Sequence, residues 1–264
     1  MLDELLRTAP VFFLLAVRAL AMIETAPLLS SDLVPQVAKI ALAGFTAYSA
    51  FPAALPSDVE VSTFGLNFLM LVIGEGLIGI ITGFFINLIF MAFTTAGQFF
   101  SLQMGFAASE TFDPLAQEEN PLIGQYLNLV AMLVFLSING FLELFLGGFW
   151  RSVQSISIAS MVQGREHVVA MLLAGLSRLF MDAMIIAIPI LGTLFLTSLA
   201  TGLMSKAAPQ INILSEGFPI SILVAFALIF ITLPFMTETF SRIIDSGFTM
   251  LERLFIQIGR AIEG

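Results

Sequence analysis

The chain has no cysteine and a single histidine, His167, in 264 residues. The first absence excludes disulfides, thiol catalysis and cysteine-ligated zinc, and the second excludes a multi-histidine metal cluster. Charge is scarce as well. Only 11 % of residues are charged, against roughly 25 % in soluble domains. With 58 % apolar residues, the chain has too little polar surface to cover itself, so a water-soluble globular enzyme is excluded. Disorder needs low hydrophobicity and high net charge, and is excluded on the same grounds. Positive charge is the rarer sign, with 10 Lys and Arg against 19 Asp and Glu and a net charge of −9. Nucleic-acid binders carry basic patches, and this chain lacks the residues for one. No stretch of useful length alternates with period two, which speaks against a β-barrel. The class that remains is an all-α polytopic membrane protein, or a subunit buried by partners as apolar as itself.

Six apolar stretches are present, at residues 10–23, 37–55, 64–96, 122–149, 168–204 and 218–236. No second domain is visible. The third and fifth far exceed the roughly 20 residues that span a bilayer, so they tilt, kink, project beyond it or divide in two. Pro189 and Gly192 predict a kink in the fifth. Asp3 and Glu4 stand where a signal peptide would be basic, and Arg18 interrupts the following run, so the first segment is expected to be retained. Beyond the sixth stretch, Ile243, Ile244, Phe248, Leu251, Leu254 and Phe255 fall on one helical face, continued by Ile258 and Ile262. That pattern over residues 242–263 predicts an amphipathic helix for a membrane surface or a partner. With six spans, Arg7, Arg151, Arg165, Arg242, Arg253 and Arg260 share one side with both termini, and Lys206 lies on the other with Lys39 at its edge. The positive-inside rule makes the first side cytoplasmic, provided every span crosses lipid directly.

Ionisable groups within apolar runs are costly in lipid and mark functional or helix-pairing sites. Here they are Arg18, Glu75, Glu143, Arg178 and Asp182. Arg178 and Asp182 are four residues apart and can pair along one helix. Glu75 and Glu143 suit either a helix contact or a water-facing position. Gly74, Gly76, Gly79 and Gly83 stud the third stretch. The G-x-x-x-G of Gly79 and Gly83 permits close helix approach, which would offset the helix cost of glycine. The 13 methionines read mostly as adaptable core filler. His167 reads as a solvated loop residue. No nucleophile–base pair, phosphate loop or metal-ligand spacing appears, so the chain is not read as an enzyme and no cofactor is expected.

The stretch QFFSLQMGFAASETFDPLAQEENP, residues 98–121, is unusual. Phe99, Phe100, Phe106 and Phe112 are interleaved with small residues and acids, and Asp113-Pro114 and Asn120-Pro121 are turn signals. A merely solvated loop has little use for Phe106 and Phe112. An adaptable loop that stops a passage would use such residues.

LQMGFAASETFDP at residues 102–114, the Asn120-Pro121 pair, FLSINGFLEL at 135–144 and KAAPQINILSEGFPI at 206–220 together resemble the FliR family of flagellar export-gate proteins. The type III secretion injectisome counterpart is a more distant likeness. Order and spacing agree over nearly the whole chain. The resemblance implies a fusion of FliP-like and FliQ-like parts, at residues 1–165 and 166–264, the second a hairpin followed by the amphipathic helix. It implies inclined helical hairpins stacked with FliP and FliQ into a ring, much of it beyond the bilayer plane. Segments that never lie across lipid do not obey the positive-inside rule. The resemblance further implies a channel for unfolded flagellar subunits in the bacterial inner membrane, at the flagellar basal body. The loop carrying Met104, Gly105, Phe106, Phe112, Asp113 and Pro114 would be its plug. The hairpin carrying Lys206, Pro209, Gln210, Asn212, Gly217, Phe218 and Pro219 would lie at the cytoplasmic entrance near FlhB.

The alternatives are the injectisome counterpart, a secondary transporter using Glu75, Glu143 and Asp182, and a polytopic membrane enzyme. Transporters show paired repeats with broken helices at matching positions, and Pro189 and Pro234 do not lie in matching halves. So apolar a chain presents faces meant for protein. Expressed without partners, it is expected to aggregate or be degraded; a monodisperse, folded monomer in detergent would contradict this.

Overall fold

The computed structural model describes residues 2–31, 34–54, 65–105, 122–155, 165–207 and 213–260. Among the described residues there are helices and turns and no strand. In chain order the helices are α1 (Leu2–Thr25), α2 (Gln36–Ala54), α3 (Leu66–Met104), α4 (Leu122–Ser137), α5 (Gly140–Ser155), α6 (Arg165–Ala207) and α7 (Ile213–Arg260).

Three helices are far longer than a bilayer requires. α3, α6 and α7 contain 39, 43 and 48 residues. At 1.5 Å per residue they extend about 60–70 Å, roughly twice the hydrocarbon thickness of a membrane. Each is continuous. α6 runs through Pro189, and α7 runs through Pro219 and Pro234. Among the described residues four helices are long and apolar enough to cross a membrane, at Thr8–Thr25, Leu66–Met104, Val168–Ala207 and Pro219–Gln257. α4 and α5 together would make a fifth.

The described residues therefore hold four or five such helices, where six apolar stretches were expected. The fourth stretch is interrupted at Ile138–Asn139. Asn139 adopts a left-handed conformation, φ 58°, which its short polar side chain tolerates. Its carbonyl accepts the Leu142 N–H at 2.8 Å, starting the next helix. Within α5, Glu143–Trp150 winds as a π-helix. His167 lies within α6, not in a loop.

The chain divides into two compact units. The first comprises Met1–Ile89, Asn139–Leu176 and Ile244–Gly264; the second comprises Phe90–Ile138 and Ser177–Ile243.

In the first unit, α1 and α2 are antiparallel. Phe12 meets Phe51 edge-on at 6.2 Å, and at the other end Lys39 Nζ reaches Glu24 at 2.9 Å. α1 and α3 run parallel, with Phe13 stacked on Phe68 and Arg18 beside Glu75. Their backbones nearly touch. A Cβ added at Gly79 would strike the Arg18 carbonyl oxygen and lie 2.8 Å from Ala21 Cβ. One added at Gly83 would strike Thr25 Oγ1 and lie 2.6 Å from the Met22 carbonyl oxygen. Gly148 of α5 is buried where Ile86, Thr82 and Met22 converge. Lipid is as apolar as leucine, so such close packing, not the hydrophobic effect, holds membrane helices together.

The second unit is built on aromatic rings. Phe90 contacts Phe93 at 6.1 Å and Phe135 at 5.5 Å, and Phe93 contacts Phe240 at 4.5 Å. α3 and α4 are antiparallel and meet backbone to backbone at Gly97 and Gly124, where an added Cβ would strike Gly124 Cα.

α7 overturns one expectation. No separate amphipathic helix begins near Arg242, because the sixth stretch and the amphipathic stretch are one helix. Its apolar face is not left for a membrane surface or partner. Ile243, Ile244, Phe248, Leu251, Leu254 and Phe255 are buried by the chain itself, and a Cβ on Gly247 would strike Ile89. Arg151 of α5 pairs with Glu252 at 2.6 Å. Ile258 and Ile262 lie outside the described side chains.

Gly79→Val and Gly83→Val are expected to lower the detergent-unfolding midpoint, at a cost of roughly 1–3 kcal/mol each for overpacking. Gly44→Ala and Gly192→Ala, at open positions, should leave it unchanged or raise it slightly. Equal effects at all four sites would refute the α1–α3 contact.

Candidate functional site

The buried charges are the first candidate. Arg18 is 3 % exposed although arginine is almost never fully buried alone. α1 carries it into the first unit, α3 brings Glu75 and α5 brings Ser152. Arg18 Nε donates to Glu75 Oε2 at 2.5 Å, and a terminal guanidinium nitrogen reaches Ser152 Oγ at 3.5 Å. Ser152 Oγ in turn donates to the Phe149 carbonyl at 2.7 Å. The sequence marked Arg18 and Glu75 separately; the structure brings them together and adds Ser152. An Arg in the first apolar stretch and a Glu in the third were the available signal, but 57 residues separate them.

Arg178 and Asp182 pair along α6, Nε to Oδ2 at 3.3 Å. Their side chains are 36 % and 13 % exposed, against 4 % and 13 % for Arg18 and Glu75, so this pair is the more hydrated one. Lys39 was not singled out, yet it is 2 % exposed. Its ammonium donates to Glu24 and to the Ser30 carbonyl at 3.3 Å. Glu143 stands apart: it is exposed on the π-helical turn of α5. Among the described residues no group of three His, Cys, Asp or Glu side chains could hold a metal ion. The three pairs neutralise charge locally.

Of the stretch at residues 104–121, the structure describes its beginning. α3 ends at Met104, which is fully buried. Gly105 follows with φ 75°, and its N–H bonds the Leu102 carbonyl at 3.2 Å. That left-handed glycine is a helix stop that a side chain would strain. Met104 therefore serves as the packed anchor of this stretch, not as an apolar group projecting from it. Phe106, Phe112, Asp113 and Pro114 lie outside the described residues, as do Pro209, Gln210 and Asn212. Lys206 is exposed in the last turn of α6, where a cation complements the helix dipole. Gly217 is half-buried and Pro219 exposed on the first turns of α7. The Phe218 side chain is outside what is described.

Long apolar helices, internally neutralised charges and apolar faces uncovered along α3, α6 and α7 define an all-α integral membrane protein built to be part of an assembly. Comparison with known proteins agrees. The family described as bacterial export proteins, family 1, matches residues 9–247. The chain is 33 % identical over 199 residues to flagellar biosynthetic protein FliR of Borreliella burgdorferi, covering 75 % of this chain and 74 % of that one. It is 30 % identical to FliR of Escherichia coli K12, covering 94 % and 93 %, and 27 % identical to FliR of Bacillus subtilis 168, covering 98 % and 99 %. The chain belongs to the bacterial export proteins of family 1, together with these FliR proteins.

Arg18→Leu strands Glu75 and is expected to cost roughly 3–5 kcal/mol of stability, and Arg18→Leu/Glu75→Leu should recover much of it. Arg178→Leu should cost less, because Arg178 is itself 36 % exposed and the pair it makes is already screened by water. Unfolding midpoints of the three variants check this; a larger loss at Arg178 would reverse the assignment.

Proposed function

We propose that the chain is a subunit of the flagellar type III protein export gate in the bacterial inner membrane, at the flagellar basal body. With FliP and FliQ it forms the channel through which unfolded flagellar subunits leave the cytoplasm, and FlhB adjoins the entrance at residues 206–219. The observation that carries this reading is the combination of the family match over residues 9–247 with helices too long for one bilayer. Excess length suits helices that stack in a ring partly beyond the membrane. The uncovered stripe of Leu66, Leu69, Met70, Ile73, Leu77 and Ile80 on α3 suits burial by neighbouring subunits. In this reading residues 1–165 and 166–264 correspond to FliP-like and FliQ-like parts.

The chain acts without chemistry of its own. The loop of residues 104–121 is the plug, with Phe106 and Phe112 forming its apolar seal. Its acids, Glu110, Asp113, Glu118 and Glu119, are costly against lipid but tolerable in a wet channel. Small residues at Gly105, Ala107, Ala108 and Ser109 let it rearrange when a substrate displaces it, so gating is steric and hydrophobic. The named relatives are all flagellar, which favours the flagellar gate over the injectisome.

The chain should co-purify with FliP and FliQ. Deleting residues 105–117 should leave that complex assembled but leaky to small ions, and Phe106→Ala/Phe112→Ala should leak less. Conductance of membranes carrying the complete gate, with assembly checked in parallel, decides this. An intact complex that stays at background conductance after the deletion would remove the plug; no co-purifying subunit would remove the gate.

A further inference from the structure

Of the seven Lys and Arg whose side chains are described, five are spent on acids of the same chain. Arg18, Lys39, Arg151, Arg178 and Arg242 pair with Glu75, Glu24, Glu252, Asp182 and Glu238 respectively. Glu143 has no such partner: among the described residues its carboxylate makes no ion pair and no hydrogen bond. Its place makes that costly. It begins the π-helical turn Glu143–Trp150 in an otherwise apolar run, ELFLGGFW. Leu142 and Leu146 beside it on the same face are 59 % and 51 % exposed. The carboxylate lies along the helix surface over Gly147, where an added Cβ would sit 3.2 Å from its Oε2. Gly147 thus leaves the carboxylate uncovered from that side. A lone carboxylate amid exposed leucines is poorly suited to lipid. Exposed leucines are equally poorly suited to the wall of a water-filled channel. A protein surface that is apolar apart from one cation satisfies both.

We propose that the α5 face formed by Leu142, Glu143, Leu146 and Gly147 is a docking site for a helix of another membrane subunit, and that this helix supplies a Lys or Arg to Glu143. Charge complementarity commits the site to a cationic partner. The chain carries 19 acids against 10 Lys and Arg, and among the described residues none of its cations pairs with Glu143, so the proposed cation belongs to a different chain. Gly147 gives the incoming side chain room beside the carboxylate, and the π-helical turn widens the surface on which it lies. Pairing on burial favours association and specifies the partner, because a neutral or acidic helix would leave the carboxylate desolvated and unpaired. The inference rests on the reading of the chain as an export-gate subunit.

The test uses the complete complex in its native membrane. Glu143→Lys is expected to reduce recovery of co-purifying subunits at least about tenfold, and Glu143→Gln by less. Selection for restored assembly of Glu143→Lys should return a Lys or Arg changed to Asp or Glu in one other subunit. The chain lacks cysteine, so Glu143→Cys provides a second readout independent of the charge variants. In the assembled complex, position 143 should be protected from a membrane-impermeant charged maleimide, and exposed once the subunits are separated in detergent. Unchanged recovery in both charge variants would overturn the proposal, as would full labelling of position 143 in the assembled complex. Protection that persists after the subunits are separated would also overturn it, because the site would then be covered by this chain itself. A wild-type chain that recovers no other subunit would instead count against the export-gate reading.

Discussion

The parallel contact of α1 with α3 is the constraint on which the first unit depends. Gly79 and Gly83 allow the Arg18 and Met22 carbonyls to approach the α3 backbone where any Cβ would collide. That approach sets the register of the two helices. With Ala21 against Gly79, Arg18 lies one turn earlier, level with Glu75, and its guanidinium meets the carboxylate at 2.5 Å. Met22 then reaches towards Gly148, where α5 closes over both helices. In a membrane no hydrophobic force draws these helices together. Their association rests on dispersion at close range and on the cost of leaving Arg18 or Glu75 alone. A looser crossing would lose both at once.

The second constraint is length. Helices of 39, 43 and 48 residues exceed any one bilayer, and their uncovered apolar stripes exceed what a folded chain leaves bare in water. Together with charges neutralised in pairs, this describes a scaffold whose chemistry is contact. Arg18, Lys39 and Arg178 each meet an acid of the same chain. Such pairs fix helices in place. The functional surfaces of such a protein are the faces its own helices do not cover.

Local interactions were legible in the sequence. Composition dictated an all-α membrane protein, and the four-residue spacing of Arg178 and Asp182 dictated a pair along one helix. The G-x-x-x-G of Gly79 and Gly83 announced a close neighbour without saying which helix it would be. Motifs at residues 102–114, 135–144 and 206–220 carried the family. The tertiary structure decided what joins distant residues. Arg18 finds Glu75 across 57 residues and Lys39 finds Glu24 across 15, and no periodicity records such partners. It also decided where helices end. Polar Thr237, Glu238, Thr239 and Arg242 mark a drop in hydropathy that resembles a boundary. The helix continues because Ile244, Phe248, Leu251 and Phe255 are buried by the same chain. Hydropathy reports what each residue prefers as its solvent. Whether lipid, water or another helix of the chain provides that solvent is fixed only when the helices pack.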